Sequence, residues 1–166
     1  MNSNFLCQVY GVSGYRLCGQ CHKDSETILK IERKHKRICC LKCGNMGVSF
    51  DGSSTRDILG VPSGLRKTVL RVRMRRYKCR RCGHVFQDRV PFANGNRHYS
   101  RRFAQYVVEL LKACTVKSVA SLLRVSWDTV KRIHKEHLRR RYSPPPLKGV
   151  RNIGCLLYTS PSPRDR

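Results

Sequence analysis

Two runs of the sequence, Cys40-Leu41-Lys42-Cys43-Gly44 and Cys79-Arg80-Arg81-Cys82-Gly83, repeat one pattern. Each sets two thiols on a turn, and the glycine after the second cysteine lets the backbone bend tightly and aim N–H groups at sulfur. Zinc takes four thiolates in a tetrahedron, and one such knuckle supplies two of them from one side. The pair nominates Cys40, Cys43, Cys79 and Cys82 as ligands of one zinc ion, against the plainer reading of four unligated buried cysteines. The 35 residues between Cys43 and Cys79 exceed the usual separation of about 15–20. Doubling a loop costs only about 0.6 kcal/mol of closure entropy, whereas structural zinc contributes roughly 10–16 kcal/mol in finger peptides. A β-sheet hung between the knuckles is therefore compatible with the site.

The chain has ten cysteines. Secreted disulfide scaffolds are as rich, but they carry a signal peptide. Residues 1–10 lack the basic start and long apolar stretch of one. The C-x-x-C pairs then point to metal thiolates in a reducing cytoplasm. A third pair, Cys18-Gly19-Gln20-Cys21-His22, could ligate a second metal with Cys7, Cys39 or His35. No equally good partner knuckle remains, so these are read as free thiols in a hairpin. Cys39 and Cys114 read as small apolar residues.

Charge narrows the partner. The chain carries 35 Lys and Arg against 10 Asp and Glu, a net charge of +25. Residues 64–142 hold 22 of those cations and four acids, or +18 of the total. Such an excess opposes compaction unless a partner neutralises it. Nucleic acid is the usual one, because Lys and Arg displace counterions from phosphate. An anionic membrane surface is the rival, but no apolar run reaches the roughly 18 residues that could span a bilayer.

The elements that must position these groups differ between the two halves. Residues 14–33 read as a β-hairpin whose second arm is 27–33. Residues 49–54 read as turn-rich, 55–59 as a short strand, and 61–64 as its close. The clearest strand is 68–77: Leu70, Val72 and Met74 point one way, Arg71, Arg73 and Arg75 the other. One face is core, and the other is a row of guanidinium groups available to DNA. A short strand at 84–87 follows the second knuckle. A polar linker, 91–99, leads to helices, with Ser100 as an N-cap and Phe103, Val107, Leu110 and Leu111 at helical spacing.

A short helix over 116–123 buries Val119, Leu122 and Leu123, with Ala120 allowing close approach. Arg124-Val125-Ser126 turns the chain, Ser126 caps the next helix, and Asp128 suits its positive N-terminus. Val130, Ile133 and Leu138 form that helix's buried stripe. Ser126, Trp127, Thr129, Lys131, Arg132 and Lys135 lie largely off it. This is the composition of a recognition helix, whose first residues reach base edges. Lys135, Arg139 and Arg140 are placed against phosphate. A plain helical bundle with a solvated basic face is the competing reading. The fold class is α+β: an N-terminal hairpin region at 1–37, a β-rich four-cysteine zinc domain at 38–90, and a helix-turn-helix domain at 100–142.

The paired knuckles, the strand 69–77, and the run Val125-Ser126-Trp127-Asp128-Thr129-Val130 resemble the N-terminal region of the ISL-three family of insertion-sequence transposases. The resemblance covers roughly residues 10–154. It implies a zinc domain and a helix-turn-helix that bind double-stranded DNA at transposon ends in the bacterial cytoplasm, at the nucleoid, with no membrane partner and room for a homodimer. A DDE-type catalytic domain would follow. The family often has Gly where Arg124 stands, so Arg there is expected to carry left-handed strain. Residues 143–154, after the Ser143-Pro144-Pro145-Pro146 stop, read as the start of that catalytic domain. The twelve residues 155–166 resemble the translated read-through of a sequencing-library adapter, so the gene is read as cut at Gly154. The ten acids are scattered and form no triad to hold two metals, so no catalysis is expected of this chain. The alternatives are a stand-alone zinc-ribbon and helix-turn-helix regulator and a zinc-stabilised RNA-binding protein.

Overall fold

The computed structural model describes residues 3–23, 25–34 and 38–142. His35, the proline run at 144–146, and the readings placed on 143–154 and 155–166 lie outside the described residues. The chain begins with α1 (Ser3–Tyr10) and continues through β1 (Tyr15–Lys23), β2 (Glu26–Arg33), β3 (Val48–Ser63), β4 (Arg66–Cys79) and β5 (Val85–Gln87). Three helices close it: α2 (Arg101–Leu110), α3 (Val116–Leu123) and α4 (Trp127–Arg141).

The strands form one five-stranded sheet ordered β1-β2-β4-β3, with β5 also on β4. β4 is central because it alternates. Leu70 and Val72 face the core, almost fully buried, and Val69, Arg71, Arg73 and Arg75 take the other face. The core side collects Leu29, Ile31, Ile58, Leu70 and Val72 beneath Leu6 and Tyr10 of α1. The sequence reading had no α1, although Leu6 and Tyr10 stand four apart, one helical turn. The turn-rich reading of 49–54 is also corrected. β3 is a single 16-residue strand with irregularities near Phe50/Ser53 and Gly60/Ser63. Its pairing with β4 overrides the weak strand propensity of Asp51-Gly52-Ser53.

The helices have their own core of Phe103, Val107, Val119, Ala120, Leu123, Val130 and Ile133. Residues 91–99, expected to be a linker, belong to both cores. Phe92 and Ala93 are buried with the sheet and Tyr99 with the helices. The Leu59 N–H donates to His98 O at 2.8 Å, and the Ser100 N–H donates to Leu59 O at 2.8 Å. Arg56 donates to the carbonyls of Gly95 and Arg97 at 2.8 and 2.7 Å. A segment whose backbone bonds and aromatic rings are so engaged fixes one domain on the other.

Candidate metal centre and nucleic-acid interface

The two knuckles are built alike. The Gly44 N–H donates to Cys40 O at 2.9 Å, and the Gly83 N–H donates to Cys79 O at 3.0 Å. Both glycines have φ near +70°, at 70° and 68°, the left-handed region where a side chain is strained. Cys40 N–H donates to Asn45 O, and Cys79 N–H to His84 O, both at 2.9 Å. The long interval between the knuckles is a hairpin. β3 leaves the first knuckle, β4 returns to the second, and Val48 pairs with Cys79. Arg80 N–H donating to Gly47 O at 2.9 Å joins the knuckles directly.

The four thiols converge. All four Sγ atoms lie within 4.8 Å of one another. Cys40–Cys82 and Cys43–Cys79 are each 3.6 Å apart. With Zn–S near 2.3 Å, a tetrahedron of thiolates has edges of about 3.8 Å, so the cluster fits zinc. Burial pushes the Cys40 thiol up. The N–H groups of Cys43 and Lys42, with the neighbouring thiols, outweigh that and bring it to about 6. Hydrogen bonding from the Cys82 N–H lowers Cys79 against burial. At Cys82 the His84 N–H lowers the thiol, but burial and the three other sulfurs push it up to about 12. Four thiolates at this spacing require a cation. The four thiols that come together at the ends of the hairpin are the ones the sequence nominated, and their spacing suits zinc.

The other cysteines stand apart. Cys18, Cys21, Cys39 and Cys114 are exposed, so the reading of Cys39 and Cys114 as apolar fillers is corrected. Cys39 precedes a buried ligand, and Cys114 follows the end of α2, where the chain turns at the surface. Among the described residues, the Cys40 cluster is the one group of three or more His, Cys, Asp or Glu with metal-ligand geometry.

The guanidinium row on β4 is largely engaged by acids. Arg71 grips Asp57 with two bonds, at 2.8 and 2.7 Å. Arg75, 16% exposed, pairs with Glu32. Arg16 reaches the same carboxylate at 3.1 Å and Arg73 lies at 4.0 Å. Burial raises the Glu32 carboxyl, but hydrogen bonds from Arg75 and Arg16 overcome it and hold the group at about 2. Its side chain is 7% exposed, so removing it takes away the buried carboxylate that Arg75 and Arg16 share. Glu32→Ala is expected to cost about 3–5 kcal/mol of stability, read from urea unfolding. Because the folded value lies below the ordinary 4.5, the pair's contribution is complete above that pH and fades as pH falls toward 2. Glu32→Gln should flatten this acid limb. An Ala variant within about 1 kcal/mol of the unaltered chain would refute the assignment.

In the helical half, three caps define the elements. Ser100 Oγ accepts from Phe103 N–H at 3.1 Å, Thr115 Oγ1 from Ser118 N–H at 3.2 Å, and Ser126 Oγ from Thr129 N–H at 3.3 Å. Arg124 turns the chain at φ 52°, ψ 47°, the left-handed conformation expected to be strained for Arg. α4 buries Val130 and Ile133. Two sequence assignments fail here. Leu138 is 40% and Leu122 56% exposed. A helix turns about 100° per residue; the stripe after Ile133 continues through His137, leaving Leu138 outside, and Leu122 lies off the Val119–Leu123 line.

The outward side of α4 carries Lys131, Arg132, Lys135, Arg139 and Arg140, all exposed. Trp127, 47% exposed, opens the helix with the Lys131 ammonium 4.4 Å from its ring centre. Arg132 lies 5.8 Å from the Tyr99 ring. The Ser126 hydroxyl meets the Thr129 hydroxyl at 2.9 Å, so these two are first of all capping groups. Glu136 pairs with Arg97, tying α4 to residues 91–99. Sequence reasoning missed this tie because the partners are 39 residues apart.

No helix among the described residues is long and apolar enough to cross a membrane. No curated protein and no solved structure matches the chain. Residues 36–82 match the zinc-finger of transposase IS204/IS1001/IS1096/IS1165. Residues 89–138 match the helix-turn-helix domain of transposase family ISL3. The first match contains all four clustered cysteines, and the second runs through α2 and α3 into α4. Carrying both the zinc ribbon and the DNA-binding helix-turn-helix of these transposases, the chain belongs to the ISL3 transposase family.

Proposed function

We propose that the chain binds the terminal sequences of a transposable element as duplex DNA, with α4 in the major groove. The carrying observation is α4 itself. Val130 and Ile133 anchor one side, and Lys131, Arg132, Lys135 and Arg139 stand on the other without a carboxylate among the described residues. Trp127, Lys131 and Arg132, at the N-terminal end, face base edges, while Lys135, Arg139 and Arg140 follow the phosphates. Ser126 and Thr129 hold the helix start. On the sheet, Arg73 is the most exposed of Arg71, Arg73 and Arg75, at 54%, and of these three is the one best placed to add a phosphate contact. The DNA is reached in the bacterial cytoplasm, and a second copy of the chain would pair with a second transposon end. A DDE-type catalytic domain in the intact transposase would cut and join what this part recognises.

The test is discrimination. Arg132→Ala is expected to narrow the affinity gap between a selected site and scrambled duplex by about 1–3 kcal/mol if it reads a guanine. Arg140→Ala should weaken binding to both alike. Uniform loss in both variants would show that α4 is not the reading helix, and preference for single-stranded RNA over duplex DNA would replace the DNA reading.

A further inference from the structure

The tip of the β3–β4 hairpin is part of the zinc-bound sheet, yet it sits against the helix-turn-helix. Ser63 pairs with Arg66, so Gly64-Leu65 is a two-residue loop. Gly64 has φ 61°, and among the described residues Arg124 is the one positive-φ residue other than glycine, so Leu65 lies at negative φ. That combination is a type II′ turn, the stiff connection matched to strand twist. Leu65 on this turn is 88% exposed, the most exposed large apolar side chain among the described residues. Arg66 beside it is exposed with no carboxylate partner among the described residues. A small groove of about 80 Å³ joins Pro62 and Leu65 of the tip to Tyr106, Leu122 and Arg124. Leu122, 56% exposed, extends the apolar surface.

The tip cannot drift from the helices. The Leu59 N–H and C=O are held by His98 and Ser100 at 2.8 Å each, five residues before Gly64. Arg124, against the tip, is three residues from Trp127 at the start of α4. Three residues span at most about 10 Å, or roughly three base steps of duplex at 3.4 Å each. The tip therefore lies within the length of a few base steps of the start of α4. A lone exposed leucine is ordinary. A leucine on a rigid two-residue turn, flanked by an unpaired guanidinium and set beside a recognition helix, has the composition of the apolar wedges that enter a minor groove while cations hold its walls.

Resting on the reading of α4 as a DNA-binding helix, the geometry points to the hairpin tip as a second DNA contact: Leu65 wedges into the minor groove flanking the α4 site, and Arg66 lies along that groove. The probe is a duplex site selected from random sequence with the unaltered chain. Leu65→Ala is expected to lower affinity on the order of tenfold, the loss of one buried leucine side chain. Arg66→Ala should reduce the salt slope by about one. In both, hydroxyl-radical protection of the minor groove beside the α4 site should disappear, with zinc content and melting unchanged. Variants that bind and protect as the unaltered chain does, while Arg132→Ala still relaxes discrimination, would overturn the wedge and leave the α4 reading standing. Loss of affinity with the minor-groove protection intact would overturn it too. If the unaltered chain selects no duplex, the α4 reading fails and the wedge with it.

Discussion

Cys82→Ser is expected to release zinc and to melt roughly 10 °C or more below the unaltered chain, which should hold one zinc. Both knuckles depend on the ion. Their four sulfurs lie within 4.8 Å, and Cys40 and Cys79 are almost wholly buried. The knuckles contribute few apolar side chains to the sheet core, and Leu41, Met46 and Phe50 around them are exposed at 60%, 66% and 60%. Apart from the metal, backbone bonds such as Val48–Cys79 pairing and Arg80 N–H to Gly47 O hold this end, with little apolar burial to support them. Structural zinc supplies roughly 10–16 kcal/mol in small fingers, as much as the whole stability of an ordinary domain, about 5–15 kcal/mol. Even a loss of a few kcal/mol moves the midpoint substantially, because each is worth roughly 2–4 °C at this size. The helices keep their separate core around Val107, Val119 and Val130, so far-ultraviolet helical signal should survive where the zinc end unfolds. Cys114→Ser, outside the cluster and exposed, is the matched control. A Cys82→Ser chain with full zinc occupancy and unchanged melting would refute the four-cysteine site.

DNA affinity is expected to fall by about 10³–10⁵-fold between 50 and 200 mM salt, as for a protein making about 6–10 phosphate contacts. The pairing of cations with acids narrows the candidates for these contacts further than net charge does. Several of the 35 Lys and Arg side chains are engaged internally: Arg16 and Arg75 on Glu32, Arg71 on Asp57, Lys67 on Glu26, Arg76 on Asp51, Arg97 on Glu136, Lys112 on Glu109. On α4, Lys131, Arg132, Lys135, Arg139, Arg140 and Arg141 have no carboxylate partner among the described residues. Their number alone reaches the lower end of the contact range. Removing the charge of Lys135 or Arg139 should lower the slope of log affinity against log salt by about one each. A titration that is flat in salt would exclude phosphate as the partner of this surface.

The chemistry-bearing elements were legible in the sequence because their signals are local. A C-x-x-C-G knuckle encodes its own turn, and Ser126-Trp127-Asp128-Thr129 encodes a cap three residues from the N–H it binds. The second arm of the hairpin, β5, α3 and the left-handed strain at Arg124 rest on the same short-range rules, and the folded chain has them. What was misread depends on distant partners. Asp51-Gly52-Ser53 looks like a turn until β4 pairs with it. Residues 91–99 look like a polar spacer because Phe92 and Tyr99 insert into two different cores, and Arg56, 41 residues from Arg97, holds the backbone between them. Leu122 and Leu138 have core chemistry, but the exact angle of each helix against its neighbours places them at the surface. The guanidinium row of β4 follows from strand alternation alone. That Glu32 of β2 and Asp57 of β3 hold Arg75 and Arg71 was decided by the order of strands in the sheet, which sets β4 between β2 and β3.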